Sequence, residues 1–94
     1  MKKRLIILGG GESGVGAALL AKQQGNDVFL SDGSSLKEVY RNELLNAGIE
    51  FEEGGHTEEK ILNASEVVKS PGIPEKNEIV KKIRAKGISL ISEI

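Results

Sequence analysis

The stretch Arg4-Leu5-Ile6-Ile7-Leu8-Gly9-Gly10-Gly11-Glu12-Ser13-Gly14-Val15-Gly16 decides how the rest of the chain is read. Leu5 to Leu8 form a continuous apolar run, too short for the core face of a helix. Such a run marks a strand buried on both faces, as in parallel sheets. Gly9, Gly11 and Gly14 follow at the spacing G-x-G-x-x-G, and residues 15–24 carry apolar side chains at helical spacing. Strand, glycine turn and helix in direct succession turn a weak glycine motif into a phosphate-binding expectation. Gly9 permits the sharp turn, Gly11 lets backbone approach a phosphate oxygen, and Gly14 lets helix and strand pack closely. The N–H groups of the first helical turn, near Glu12, Ser13 and Gly14, point to the same place, with the positive end of the helix dipole behind them. Glu12 is expected to offer its N–H to the anion and turn its carboxylate outward. The competing reading is a glycine-rich turn that binds nothing, although a bare turn does not need three glycines so spaced.

Outward from this unit the chain keeps one grammar. Gly25 is placed as a left-handed helix cap, and Asp27 to Ser31 read as a second strand ending at Asp32, 18 residues past Gly14. Ser35 and Glu38 form a capping-box pattern opening a helix to about Ala47, with Val39, Leu44 and Leu45 as its apolar face. Gly48 closes that helix, and Ile49 to Glu52 make a third strand. Beyond Glu53-Gly54-Gly55-His56-Thr57 come a short helical piece over 58–62 and a fourth strand, Glu66 to Lys69. Ser70-Pro71-Gly72-Ile73-Pro74 is a stiff loop. A last helix over 77–86, with Ile79, Val80 and Ile83 inward, is capped by Gly87 before a fifth strand from Ile88 to Ile91. Helix, glycine, strand recurs at Gly25, Gly48 and Gly87, which predicts alternating α/β units. The expected fold is Rossmann-like: five parallel strands in order 3-2-1-4-5 with helices on both faces.

In such a sheet ligands bind beyond the carboxyl ends of the strands, where strand order reverses. Here that is between the first and fourth strands, where loops 9–14, 32–35 and 70–74 converge. Asp32 is suited to accept two hydrogen bonds from a sugar or base; the plain alternative is a solvated turn aspartate. Ser70 to Ile73 could equally be a stiff connection and nothing more. His56 is expected outside this group of loops and reads as incidental. Lys81, Lys82, Arg84 and Lys86 read as a solvated face that complements a helix C-terminus.

Bulk properties narrow the partners. The 94 residues suit one small domain, with 13 basic and 14 acidic residues dispersed along the chain. That balance, with two Phe, one Tyr and no Trp, disfavours nucleic acid and anionic membrane. With no cysteine and one histidine there is no disulfide framework, thiolate nucleophile or Cys/His metal site. No apolar stretch reaches the length of a membrane span. The basic start Met1-Lys2-Lys3-Arg4 superficially resembles a signal peptide, but glycines and a glutamate interrupt the apolar run, so a cytoplasmic protein is expected. The sequence contains no pattern of a catalytic triad, carboxylate pair or metal box.

Leu8-Gly9-Gly10-Gly11-Glu12-Ser13-Gly14, Ser31-Asp32, Val67-Val68-Lys69-Ser70-Pro71-Gly72-Ile73 and Ile91-Ser92-Glu93-Ile94 together resemble the N-terminal domain of the Mur ligases, across the whole chain. Ser70-Pro71-Gly72-Ile73 is the most specific piece and points to the D-glutamate-adding branch, because the L-alanine-adding ligases usually differ there. The resemblance implies that the ligand is UDP-N-acetylmuramoyl-L-alanine. Its diphosphate would lie on the backbone at Glu12 and Ser13 within the turn Gly9, Gly11, Gly14. Its uracil would lie near Asp32, Gly33 and Ser34, and its sugar or linking phosphate near Gly72, beside Ser70 and Pro71. Relatives often carry a larger polar or basic side chain after the acid, where this chain has Gly33-Ser34.

The resemblance also implies a three-domain parent. Residues 1–94 would be its single N-terminal UDP-substrate-binding domain, with no catalytic residue, metal or cofactor of its own. ATP and Mg would belong to the central domain, whose G-x-x-x-x-G-K-S/T loop is absent here. The parent would form an acyl phosphate from the muramoyl-alanine carboxylate and ATP, and the D-glutamate amine would displace phosphate. Two other readings stay open: a small NAD-binding or nucleotide-sensing regulatory domain, and a structural or dimerising module that binds no nucleotide. Ser70 to Ile73, which a dinucleotide binder does not require, separates the first of these from a ligase domain.

Overall fold

A computed structural model describes residues 3–92. The elements run β1 (Arg4–Leu8), α1 (Glu12–Gln23), β2 (Asp27–Asp32), α2 (Glu38–Asn46), β3 (Glu50–Glu53), α3 (Glu58–Ile61), β4 (Glu66–Lys69), α4 (Glu78–Ala85) and β5 (Ser89–Ile91). All strands are parallel, in the expected order β3-β2-β1-β4-β5. Met1 and Lys2 of the basic start, and Glu93 and Ile94 of the final stretch, lie outside the described residues.

The unbroken apolar run of β1 follows from its central place. Leu5 and Ile7 face one layer with Val15, Ala18 and Ala21 of α1, Leu44 of α2, and Val28 and Leu30 of β2. Ile6 and Leu8 face the other, with Phe29, Ile61, Val67, Ile79, Val80 and Ile83. With both sides covered there is no solvent face to mark by alternation, and each buried aliphatic side chain contributes about 1.5–3 kcal/mol. Gly25 and Gly87 end their helices at φ 88° and 75°, a left-handed conformation that admits glycine without strain. Leu8 pairs with Ser31 on one side and Lys69 on the other, so β1 and β4 end level, β2 runs one residue further to Asp32, and all three release their loops from one edge.

Around α2 the structure departs from the sequence reading. The capping box of Ser35 and Glu38 does not form: the N-cap is Lys37, with no side-chain bond, and the helix starts at Glu38. Leu36 explains the late start: it is 5% exposed and packs into the core under the glycine turn, so that after the bend at Gly33 and Ser34 the chain stays non-helical through Lys37, which is itself extended. Of the expected apolar face, Leu44 is buried, but Val39 and Leu45 are 56% and 61% exposed; half-buried Tyr40 and Ala47 pack in their place. The segment is clamped instead by Arg41, whose Nε and Nη2 donate to Glu53 Oε2 at 2.9 Å and Oε1 at 3.0 Å. The Leu36 N–H also donates to Glu53 Oε1, at 2.8 Å.

Two predictions follow from this packing. A Cβ on Gly14 would stand 1.9 Å from the Gly9 carbonyl oxygen, whereas one on Gly16 would meet nothing within 4 Å. Gly14→Ala should therefore destabilise by about 2 kcal/mol or more through forced displacement of α1. Gly16→Ala should stabilise by about 0.5–1 kcal/mol through reduced unfolded-state entropy. Urea melts of the two variants should move in opposite directions; equal shifts would contradict the close approach.

The Arg41 hydrogen bond, supported by the Leu36 N–H, holds the Glu53 carboxyl at about 2, against an ordinary 4.5. A carboxylate depressed by folding stabilises above its unfolded pKa, and that stability is lost as pH falls toward the folded value. The parent should therefore lose stability between 4.5 and about 2, and Glu53→Gln should flatten that part of the profile, measured by urea melts across the window.

Candidate functional site

Three loops leave the carboxyl edge of the sheet at the reversal of strand order, and each is built from backbone more than from side chains. In the first, Gly9 adopts φ 103° and its N–H donates to the Ser31 carbonyl at 2.9 Å, which extends the β1–β2 ladder by one bond. Gly11 is the N-cap of α1, at φ −79° and ψ −171°, and the Val15 N–H closes the first turn onto its carbonyl at 2.9 Å. The N–H groups of Glu12, Ser13 and Gly14 have no acceptor among the described residues. Glu12 and Ser13 are exposed, as expected of a carboxylate turned outward, and a Cβ on Gly11 would meet nothing within 4 Å. The N-terminus of α1 is thus open, with the helix dipole behind it.

Asp32, at the end of β2, ties the second loop to the first. Its Oδ2 accepts the Gly10 N–H and its Oδ1 the Ser34 N–H, each at 2.7 Å. Gly10 was not singled out by its spacing, yet it is tightly confined: a Cβ there would stand 2.0 Å from Leu36 Cδ2 and 3.2 Å from Asp32 Oδ2. Asp32 therefore spends part of its accepting capacity within the protein and keeps further lone pairs for a ligand. The loop after β3 reinforces the arrangement, with the Gly54 N–H donating to the Ser34 carbonyl at 2.9 Å.

The third loop begins where the Ser70 N–H donates to the Leu8 carbonyl at 2.9 Å, and the Ile73 N–H closes a turn onto the Ser70 carbonyl at 3.0 Å. It meets the glycine turn directly, since a Cβ on Gly9 would stand 3.0 Å from Ser70 Cβ and 3.4 Å from Ile73 Cδ1. Pro71 and Gly72 are exposed at its tip. Lys69 braces it from below: its buried ammonium donates to the Ile73 carbonyl at 2.9 Å and lies 3.5 Å from Glu75. Arg84 hydrogen-bonds the same glutamate at 2.6 Å and, together with the nearby Lys69, holds its carboxyl below the ordinary range.

The structure therefore joins Gly9 and Gly10 to Asp32 on one side and to Ser70 and Ile73 on the other. It also corrects the place of His56, which is not remote: its ring lies against Gly33 and bonds Ser31. Gly10 and Leu36 carry no local signal of these roles because they meet each other and Asp32 across separate loops, and the ring of His56 finds its partners Ser31 and Gly33 outside its own loop. Lys69 is the polar end of the strand Glu66–Lys69, and its burial emerges only from the fold. Of the basic cluster, Lys82 pairs with Glu58 and Arg84 with Glu75, so these two charges join elements as well as facing solvent. Segments 9–14, 32–35 and 70–74 contain no Lys or Arg, so an anion here would rely on backbone N–H groups. Among the described residues, no three His, Asp or Glu side chains are grouped to hold a metal ion.

Comparison with known proteins gives one answer from sequence and a compatible one from shape. The family profile described as the MurD N-terminal domain matches residues 4–79. The chain is 60% identical, over all 94 residues, to UDP-N-acetylmuramoylalanine--D-glutamate ligase of Cytophaga hutchinsonii, and covers 21% of that protein. It is 54% identical over 92 residues, 98% of the chain, to the ligase of the same name from Bacteroides fragilis, again covering 21% of it. The chain thus spans about a fifth of the length of the curated relatives it matches. Among solved structures it superposes on a pseudomurein peptide ligase type C from Methanothermus fervidus with TM-score 0.83 at 26% identity, over 97% of this chain and 19% of that one. UDP-N-acetylmuramate-alanine ligase MurC from Thermotoga maritima shares the fold, with TM-score 0.81 at 22% identity over 96% of this chain and 20% of that one. The family profile runs through the glycine turn, Asp32 and the Ser70–Ile73 loop, and the separate reading as an NAD-binding regulatory domain finds no support. On the profile match and the whole-chain identity, the chain belongs to the MurD N-terminal domain family.

Proposed function

We propose that this chain is the single N-terminal domain of an ATP-dependent ligase and that it binds UDP-N-acetylmuramoyl-L-alanine, the acceptor to which D-glutamate is added. The observation that carries the proposal is the open N-terminus of α1, where the N–H groups of Glu12, Ser13 and Gly14 stand without acceptors among the described residues. Gly9 and Gly11 bring this backbone within reach of a diphosphate, which the three loops meet with amides and without a Lys or Arg of their own. Asp32, Gly33 and Ser34 take the uracil side, and Ser70, Pro71 and Gly72 the sugar or linking phosphate. The names of the relatives, which specify UDP-N-acetylmuramoylalanine, support this ligand over others of similar charge.

In the parent, the substrate carboxylate is activated by ATP with Mg and the D-glutamate amine then displaces phosphate. These residues contain no G-x-x-x-x-G-K-S/T loop to hold ATP, so the domain's share is to bind and orient. Its partners would be the central and C-terminal domains of the same chain. Binding in the cytoplasm is part of the proposal: the ligand is a nucleotide-linked sugar, and no helix among the described residues is long and apolar enough to cross a membrane.

Charge-assisted bonds contribute about 1.5–3 kcal/mol each, and association costs several kcal/mol in lost freedom. The 94-residue chain should accordingly bind UDP-N-acetylmuramoyl-L-alanine with a dissociation constant on the order of 0.1–1 mM, and NAD more weakly. NMR titration should shift amides in the three loops. Gly11→Val supplies a clean control, because the backbone is not left-handed there and the added side chain meets no protein atom at its Cβ. The folded variant should lose binding; if it binds as well as the parent, residues 9–14 do not hold the diphosphate.

A further inference from the structure

We propose that His56 is a positioning residue for the loop Asp32-Gly33-Ser34, its ring oriented by Ser31 and Glu52 and set against Gly33. This rests on the preceding reading only for the identity of the ligand that uses the loop.

The argument starts from Ser31, a fully buried hydroxyl on the face of β2 that also carries Phe29. A buried hydroxyl needs partners, and this one has three: Glu52 Oε2 at 2.8 Å, His56 Nδ1 at 2.7 Å and the Gly55 carbonyl at 3.4 Å. Glu52 also accepts the Thr57 N–H at 2.8 Å and the Thr57 hydroxyl. Burial works to raise its carboxyl, but the bonds from Thr57 and Ser31 and the proximity of His56 outweigh that and hold it below the ordinary range. Glu52 is therefore an acceptor, and the single Ser31 proton goes to it rather than to the longer contact with Gly55. His56 Nδ1 must then donate to Ser31 Oγ. That assigns the proton to Nδ1, fixes the plane of the imidazole and leaves Nε2 on the opposite edge.

Nε2 is the atom that meets the loop. A Cβ on Gly33 would stand 3.3 Å from it, tighter than most side-chain contacts. Gly33 does not adopt a left-handed φ, so the absence of a side chain there answers to the ring and not to backbone strain. The loop is thus held from two sides. Asp32 binds it to the glycine turn, and His56, with Gly54 and Gly55 donating to the carbonyls of Ser34 and Asp32, holds it from β3. A preformed loop loses less freedom when a ligand binds.

The test is a double-mutant cycle on the 94-residue chain, with His56→Ala, Gly33→Ala and both together. Amide exchange is read without ligand, and affinity with UDP and with pyrophosphate. His56→Ala should speed exchange at Ser34, Gly54 and Gly55 by about tenfold while leaving the core of β1 protected. It should weaken UDP about five- to tenfold and leave pyrophosphate unchanged, since only the loop away from the phosphates is loosened. Gly33→Ala alone should weaken UDP, but should add nothing once the ring is gone. Imidazole nitrogen shifts of neutral His56 should report the Nδ1–H form. Unchanged exchange at Ser34 with UDP binding intact overturns the positioning role alone, as does additivity of the two substitutions or an Nε2–H form. Loss of protection throughout β1 in His56→Ala would mark a merely structural residue and also overturn it. Failure of the parent to bind UDP at all overturns the ligand reading, and the exchange and tautomer arms still decide the role of His56.

Discussion

One carboxylate holds the candidate site in register. Asp32 accepts the Gly10 N–H from the loop after β1 and the Ser34 N–H from its own, both at 2.7 Å. Charge-assisted bonds of this length are about twice as strong as neutral ones, and these tie the loop after β2 directly to the glycine turn. Other contacts follow from that bond. Gly10 must lie close over Leu36, Leu36 must be drawn into the core, and α2 cannot begin until Glu38. The chain then bends at Gly33 and Ser34 and stays non-helical up to α2, and Arg41 reaches from the Leu36 carbonyl to Glu53 to hold it against β3.

The second constraint is the close approach of α1 to β1. Gly14 lies beneath the Gly9 carbonyl with no space for a methyl group, and this brings the first turn of the helix directly over the end of the central strand. The three amides of Glu12, Ser13 and Gly14 gain their importance from that position. A helix N-terminus in free solution is satisfied by water; here it stands at the reversal of strand order, beside a turn that also touches Ser70 and Ile73. An anion site made of fixed amides suits a diphosphate, because it supplies donors without a mobile cation whose reach would vary.

The fold was largely legible in the sequence because its signals are local. An apolar run, three spaced glycines and three helix-capping glycines each act within a few residues of themselves, and they set the order of elements and of strands. The errors arose where a non-local contact overrode a local motif. Ser35 and Glu38 have the letters of a capping box, but Leu36 between them is pulled under the glycine turn, and helical geometry is lost at that point. Val39 and Leu45 look like core in periodicity, yet Tyr40 and Ala47 occupy the inward side. In the site, the glycines with fixed spacing could be read; Gly10 could not, because what confines it is Leu36 and Asp32, more than twenty positions away. The neighbours of His56 are illegible for the same reason, since Ser31 and Gly33 meet its ring from β2 and the loop after it.

The central claim is that Asp32 works first as a clamp between two loops, so that removing its carboxylate loosens the proposed base and phosphate subsites together. Asn in its place keeps the size but presents only one acceptor, leaving either Gly10 or Ser34 facing a donor. The most direct measurement is therefore the affinity of folded Asp32→Asn for UDP and for pyrophosphate, compared by NMR titration with the parent. The clamp predicts that both weaken, each by about tenfold, the equivalent of one net hydrogen bond. Weakened UDP with unchanged pyrophosphate would mean that Asp32 serves the nucleoside alone and that the glycine turn holds its shape without it.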